Sequence, residues 1–228
     1  VLLSPLVERA VELAAEWHDQ TYRKSRWRGV PFDTPGDAPP ARVPAMAHVT
    51  AVALVVQRDG WDDETVAAAF LHDTLEDRNR FGDHLPEARL AALVGETVAE
   101  RVRAVTEPKY DASGAPLPWR VRKEAYLERL HGGPVEALAV SLADKVHNAW
   151  TMRQGVEAGQ DIFADGPGRK ALSAGPEQQA WFFRAVLAAS EARRDARLDR
   201  LCDALRREAE AFEEAVGLRP PQIPDRAG

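Results

Sequence analysis

The segment Leu71-His72-Asp73-Thr74-Leu75-Glu76-Asp77 turns abruptly from apolar to ionisable, directly after the apolar run Ala67 to Leu71. On a helix, positions four apart share a face, so His72 is expected to stack above Glu76 and Asp73 above Asp77. Carboxylates and an imidazole gathered at the end of an apolar run are costly unless they are paired or bind a cation. An adjacent His-Asp pair offers one nitrogen and one oxygen to a single ion. Two further donors complete a set. His48 opens an apolar stretch in Pro44-Ala45-Met46-Ala47-His48. Asp144 lies in Ser141-Leu142-Ala143-Asp144-Lys145-Val146-His147-Asn148, after the apolar run Ala137 to Leu142. Asp144 and Asn148, again four apart, can face one cavity. His48, His72, Asp73 and Asp144 supply two nitrogens and two carboxylates, with room left for water and substrate. Such mixed ligation suits Mn²⁺, Fe²⁺ or Zn²⁺, and the chain's single cysteine, Cys202, excludes a thiolate cluster.

The elements that must position these groups are helical. Leu6, Ala10, Leu13, Ala14 and Trp17 recur at three and four residues and form one apolar face. Further helices are expected from about Ala45 to Asp59, from an Asp62/Asp63 cap through Asp73, and from Pro86 to a stop at Gly95. Val98, Val102 and Val105 mark the next stripe. It is followed by Trp119 to Leu130, Pro134 to about Met152, and one long stretch from Pro176 to Val216. No alternating strand pattern stands out, so the expected fold class is all-α, a helical bundle forming a single domain over residues 1–216. The motif-bearing core spans about 4–152, packing helices span 176–216, and a flexible tail covers 217–228. Three breaks rich in Gly and Pro interrupt the helices: Arg26 to Pro44, Tyr110 to Pro118, and Gly155 to Gly175.

Composition narrows the function classes. The 228 residues carry 30 basic against 36 acidic side chains, a formal charge of −6. That balance argues against a general binder of DNA or RNA polymers, whose phosphates demand a basic surface. The longest apolar runs reach only six residues, whereas a membrane-spanning helix needs roughly 20. Without a recognisable secretory leader or a disulfide pair, a cytoplasmic location is the expectation. A homo-oligomer is compatible with all of this.

The order His48, His72-Asp73, Asp144 resembles the signature of the HD-domain metal-dependent phosphohydrolases. More closely, the chain resembles the small RelA/SpoT-type alarmone hydrolases, on Arg23-Lys24-Ser25, His48, His72 to Asp77, Val105-Thr106-Glu107, Arg122-Lys123 and Leu142 to Asn148. This resemblance implies an α-helical fold, usually loaded with Mn²⁺, that releases pyrophosphate from the 3′ position of a guanosine alarmone such as ppGpp. It implies His48, His72, Asp73 and Asp144 as metal ligands. Glu76 and Asp77 correspond to the catalytic pair that orients or deprotonates the attacking water. Arg23, Lys24, Lys145 and Asn148 correspond to substrate contacts on a small nucleotide. One departure is the insertion between Ser25 and His48, which enclose 22 residues where those hydrolases have only a few.

Other readings compete. Hydrolysis of NADPH or a nucleoside phosphate would use the same metal chemistry. Some HD-fold proteins hold two irons and oxidise their substrate, but they need extra histidines, for which only His84 and His131 fall in the right interval. A non-catalytic nucleotide sensor would be expected to lack Glu76 or Asp77, and both are present. His18, His84, His131 and His147 read as structural or exposed, and Trp181, Phe182 and Phe183 as core. The Arg26 to Pro44 loop, tethered at the proposed site by both ends, is either a tolerated surface insertion or a cover over the pocket that selects the nucleotide.

Overall fold

The computed structural model describes residues 2–27, 42–165 and 170–219. The described residues form one mostly helical bundle, so the all-α expectation holds for its architecture. Helix α1 (Pro5–Trp17) starts on Ser4, whose hydroxyl accepts from the Val7 amide, with Pro5 in the first turn where its missing N–H costs nothing. Helix α2 (Ala45–Asp59) ends at Gly60, whose φ of 91° is the left-handed conformation that suits glycine.

Helix α3 (Asp63–Leu71) lies at the centre, with every residue from Thr65 to Leu71 buried. Its start is fixed by Asp62, which accepts from the Thr65 amide at 2.8 Å and from Arg101 Nη1 at 2.6 Å. A cap of this kind is worth about 1 kcal/mol. Helices α4 (Glu87–Val94) and α5 (Glu96–Ala104) follow, broken at Gly95. Then come α6 (Trp119–Gly132) and α7 (Val135–Glu157). Helix α7 is also central. Ala137 through Lys145 are buried without exception, so its middle has no solvent face and its Asp144 and Lys145 must find partners inside the protein.

Three expectations need correction. Residues 26–27 and 42–44, expected as loop, belong to an antiparallel strand pair, β1 (Tyr22–Trp27) with β2 (Arg42–Pro44), Tyr22 lying opposite Pro44 and Trp27 opposite Arg42. The run Tyr-Arg-Lys-Ser-Arg-Trp has no apolar alternation, so the sequence carries no strand signal there. The long stretch from Pro176 is two helices, α8 (Pro176–Glu191) and α9 (Asp199–Ala215), separated by a reversal at Arg194 (φ 52°) and a short 3₁₀ turn at Ala196–Leu198. The reversal lets α9 lay Leu201, Cys202, Leu205, Ala209 and Phe212 against α7 and α8. Finally, α3 stops at Leu71, before the polar motif.

Beyond α9, the Glu213 carboxylate is buried and takes ion pairs from Arg184 and Arg219, at 2.5 and 2.7 Å. This fastens residues 217–219 to the bundle, while the rest of the expected tail lies outside the described residues. So does most of the expected pocket-covering loop, residues 28–41. No helix among the described residues is long and apolar enough to cross a membrane.

Candidate metal centre and its cavity

The acidic motif occupies a tight turn and not a further turn of α-helix. The amides of Thr74 and Glu76 bond back three residues, to Leu71 and Asp73, and only the Asp77 amide reaches four back, to the Asp73 carbonyl. The indole N–H of Trp17 on α1 donates to the Asp77 carbonyl at 2.9 Å and clamps the turn from below. The expected pairing of His72 with Glu76 along one helix face is therefore replaced by a loop that fans its side chains around a cavity.

His72 caps α3 and is buried. Its Nδ1 lies 2.8 Å from the Ala69 carbonyl oxygen. A carbonyl only accepts, so the proton sits on Nδ1 and the Nε2 lone pair is left free. That Nε2 is buried without a hydrogen-bond partner. An orphaned buried acceptor calls for a ligand. His48, from the first turn of α2, and Asp144, from the middle of α7, converge on the same point: the ligating atoms of His48, His72 and Asp144 all lie within 4.8 Å of one another. His48 Nε2 is 3.1 Å from Asp144 Oδ1. Asp73 is adjacent, with Oδ1 3.3 Å from His72 Nε2 and Oδ2 3.7 Å from His48 Nε2. Two imidazole nitrogens and carboxylate oxygens at this spacing fit a divalent cation.

Electrostatics set the charges of these groups. Burial, with Arg23 adding to it, pushes His48 well below the usual histidine range, so its ring is neutral. Burial alone would raise Asp144. Lys145 beside it, together with the nearby His48, instead holds its carboxyl well below the carboxylate range. The Lys145 ammonium touches Asp144 Oδ2 and lies 3.3 Å from the Tyr126 hydroxyl, which in turn meets Ser141 Oγ at 2.7 Å. These partners outweigh burial and raise Lys145 above its ordinary value. Asn148 donates to Asp144 Oδ1 at 2.6 Å and accepts from Arg23 on β1. The strand pair thus reaches the centre through Arg23 and Asn148.

Glu76 and Asp77 flank the other side. Lys109 donates to the Glu76 carbonyl and to Asp77 Oδ1, both at 3.0 Å, and the Glu107 amide donates to Glu76 Oε2 at 3.3 Å. Burial first, then the neighbouring carboxylates Asp73, Glu107 and Asp77, push Glu76 up to about 7, with Lys109 opposing. Glu76 is thereby poised to exchange a proton near neutrality.

That shift predicts a signature in the metal-free protein. A carboxyl whose folded pKa lies above its unfolded value stabilises the fold below the unfolded value of 4.5, and loses that contribution as pH rises through about 7. His48 and His18, both lowered by burial, tilt stability the other way below about 6.5. The Glu76 part is therefore read as a difference. Urea unfolding with a chelator present is expected to show Glu76→Gln gaining on the wild type between pH 5 and 8, by at most about 3 kcal/mol. A constant difference across that range would refute the assignment.

The whole set lines one cavity of ≈ 280 Å³, and all ten residues singled out by sequence lie in its wall. Its charge is unlike that of the chain. The lining carries six cations, Arg23, Lys24, Lys109, Arg122, Lys123 and Lys145, against five carboxylates, Asp73, Glu76, Asp77, Glu107 and Asp144. The chain's net negative charge is therefore not at the site. Trp119, Tyr126 and Phe182 form an aromatic wall, with Trp119 and Phe182 edge to face at 6.1 Å and Lys123 Nζ 4.5 Å from the centre of the Phe182 ring. Glu107 is buried between Arg122 and Lys123.

Sequence reasoning did not mark Lys109, Trp119 or Tyr126 as lining, and nothing in their spacing announces it. It read Phe182 as core, which is true of its burial, but the ring also faces the cavity. His147, read as structural or exposed, lies with Nδ1 2.8 Å from His48 Nδ1. His84 and His131 are exposed and lie outside the cavity wall.

This buried His, His and Asp cluster at the heart of a helical bundle places the chain in a known class. The HD domain family model matches residues 32–165, more than half of the chain, and the protein belongs to that family. Within it, the chain is related to the MESH1/SpoT-type (p)ppGpp hydrolases. It is 30% identical over 145 residues to the guanosine-3′,5′-bis(diphosphate) 3′-pyrophosphohydrolase MESH1 of Xenopus tropicalis, covering 63% of this chain and 67% of that one. It is 28% identical over 147 residues to a probable enzyme of the same name from Synechocystis, covering 64% of this chain but only 17% of that much longer protein. The fold matches a solved metazoan orthologue of SpoT, described as hydrolysing ppGpp, with a TM-score of 0.59 at 20% identity over 95% of this chain and 98% of that one.

Proposed function

We propose that this protein is a metal-dependent phosphohydrolase of small nucleotides, with guanosine 3′,5′-bis(diphosphate) the first candidate substrate and pyrophosphate released from its 3′ position. The observation that carries the reading is the free, buried Nε2 of His72, aimed at a point shared with His48 and Asp144, at the floor of a cavity walled by cations. Asp73 completes the ligand set in this reading. A bound divalent ion, Mn²⁺ foremost with Fe²⁺ and Zn²⁺ as alternatives, would polarise the phosphate and lower the pKa of water at neutral pH.

The chain's own residues supply the rest. Glu76, held near neutrality, takes the proton of the attacking water, with Asp77 orienting it from the other side of Lys109. Arg23, Lys24, Lys109, Arg122 and Lys123 offer forked and point charges to two separated phosphate groups. Trp119 and Phe182 present ring faces and edges suited to a nucleobase. Lys145 is already engaged with Asp144 and Tyr126, so its part is to hold Asp144 ionised and only secondarily to meet substrate. Asn148 ties Asp144 to Arg23 and so couples the ligand set to the substrate side. The exposure of His84 and His131 favours this reading over a two-iron oxygenase.

The test is a panel of ppGpp, NADPH and nucleoside triphosphates with Mn²⁺, read for phosphate against pyrophosphate release. Pyrophosphate from ppGpp, at a kcat/KM well above the others, is the expected result. Turnover confined to NADPH or the triphosphates would keep the chemistry and replace the substrate. Oxygen uptake without phosphate release would overturn both.

A further inference from the structure

His147 stands three residues after Asp144 on α7, and its Nδ1 lies 2.8 Å from His48 Nδ1, the two rings 4.8 Å apart and tilted by 44°. The other nitrogen of His48, Nε2, faces Asp144 Oδ1 at 3.1 Å and Asp73 Oδ2 at 3.7 Å. A neutral imidazole carries one proton, and a ligating nitrogen must be the bare one. For His72 the matter is settled by the Ala69 carbonyl, which can only accept. For His48 the corresponding place is taken by His147, a group that can either accept or donate.

The pair therefore has two arrangements with the same number of protons. In the first, His48 donates Nδ1–H to His147 Nδ1, His147 carries its own proton on Nε2, and His48 Nε2 is bare. In the second, His48 donates Nε2–H to Asp144 and receives Nδ1–H from His147. Only the first leaves His48 able to bind a cation. The ring of Trp150, 6.2 Å from that of His147 and tilted by 35°, backs His147 from the outer side.

We propose that His147 is a positioning residue that accepts the Nδ1 proton of His48 and thereby holds His48 in the metal-binding tautomer, cation entry selecting this arrangement over the one in which His48 donates to Asp144. The inference rests on the reading of His48, His72 and Asp144 as a metal centre. Groups that orient a metal-bound imidazole through its second nitrogen typically contribute about 10–100-fold in metal affinity.

The test uses Zn²⁺ as a diamagnetic probe, with the wild type, His147→Phe and His147→Gln. Long-range ¹H–¹⁵N spectra of the zinc-loaded wild type are expected to show His48 protonated at Nδ1 and His147 at Nε2. By competition titration, His147→Phe is expected to bind Zn²⁺ about 10–100-fold more weakly. His147→Gln, whose side-chain carbonyl accepts as the Ala69 carbonyl does for His72, should recover most of that loss. Two results would overturn the proposal: a loaded wild type with His147 protonated at Nδ1, or a folded His147→Phe that binds as tightly as the wild type. A wild type that binds no divalent ion would instead remove the metal centre itself, a different outcome from a wild type that binds and a variant that matches it. Should His147→Phe fail to fold, the wild-type spectra and the glutamine variant still decide.

Discussion

His72→Ala is expected to lose the bound ion and the hydrolytic activity together. The argument is geometric. His72 Nε2 is buried, lacks a protein partner, and has its tautomer set by the Ala69 carbonyl, so it has no task in the fold that the cavity itself would supply. Removing it leaves one nitrogen and the carboxylates, a set that binds a divalent ion far more weakly. Metal analysis after dialysis should fall to background, and turnover with it, while far-ultraviolet circular dichroism stays helical. Asp144→Asn should do the same at a higher cost in stability, because it also strands the buried Lys145 ammonium, and breaking a buried pair costs about 3–5 kcal/mol. Asp73→Asn is the informative intermediate. Asp73 contacts both imidazoles yet sits at the edge of the cluster, so weakened binding is expected where His72→Ala abolishes it. Full turnover of His72→Ala after rigorous chelation would end the metallohydrolase reading.

The second large effect separates chemistry from binding. Glu76 lies beyond the ligand cluster, braced by Lys109 and the Glu107 amide, and is pushed up to about 7. Glu76→Gln keeps its size and most of its hydrogen bonding but cannot take a proton. Turnover is expected to fall by about 10²–10⁴-fold, as for a lost general base, with metal content and nucleotide binding retained. The acidic limb of the wild-type pH–rate profile should disappear with it. If ion content falls in step with activity, Glu76 belongs among the ligands and the base must be sought at Asp77.

Much of the centre was legible in one dimension. His48, His72, Asp73, Asp144, Glu76 and Asp77 stood out because ionisable groups interrupt apolar helical stretches, and such interruptions are too costly to occur without a partner. The four-residue spacing of Asp144 and Asn148 survives as a hydrogen bond because both sit in the unbroken interior of α7. The same rule misled at His72 to Asp77, where the chain leaves α-helix geometry at Leu71. Local periodicity carries no mark of a turn that Trp17, sixty residues earlier, holds in place.

The amino-acid sequence by itself determined the helical class, the placement of most helices and the candidates for the metal centre, since all of these follow from spacing and from the cost of burying charge. Tertiary structure alone decided which nitrogen of each histidine faces the centre, because the Ala69 carbonyl and His147 come within bonding distance only after folding. It also decided that Lys109, Arg122, Lys123 and Trp119 join the cavity. Their helices and loops are brought to α3 by packing, and packing partners across long sequence separations leave no periodic trace in the chain. The β1–β2 strand pair belongs with them, since strand pairing is a property of two segments and neither one displays it alone.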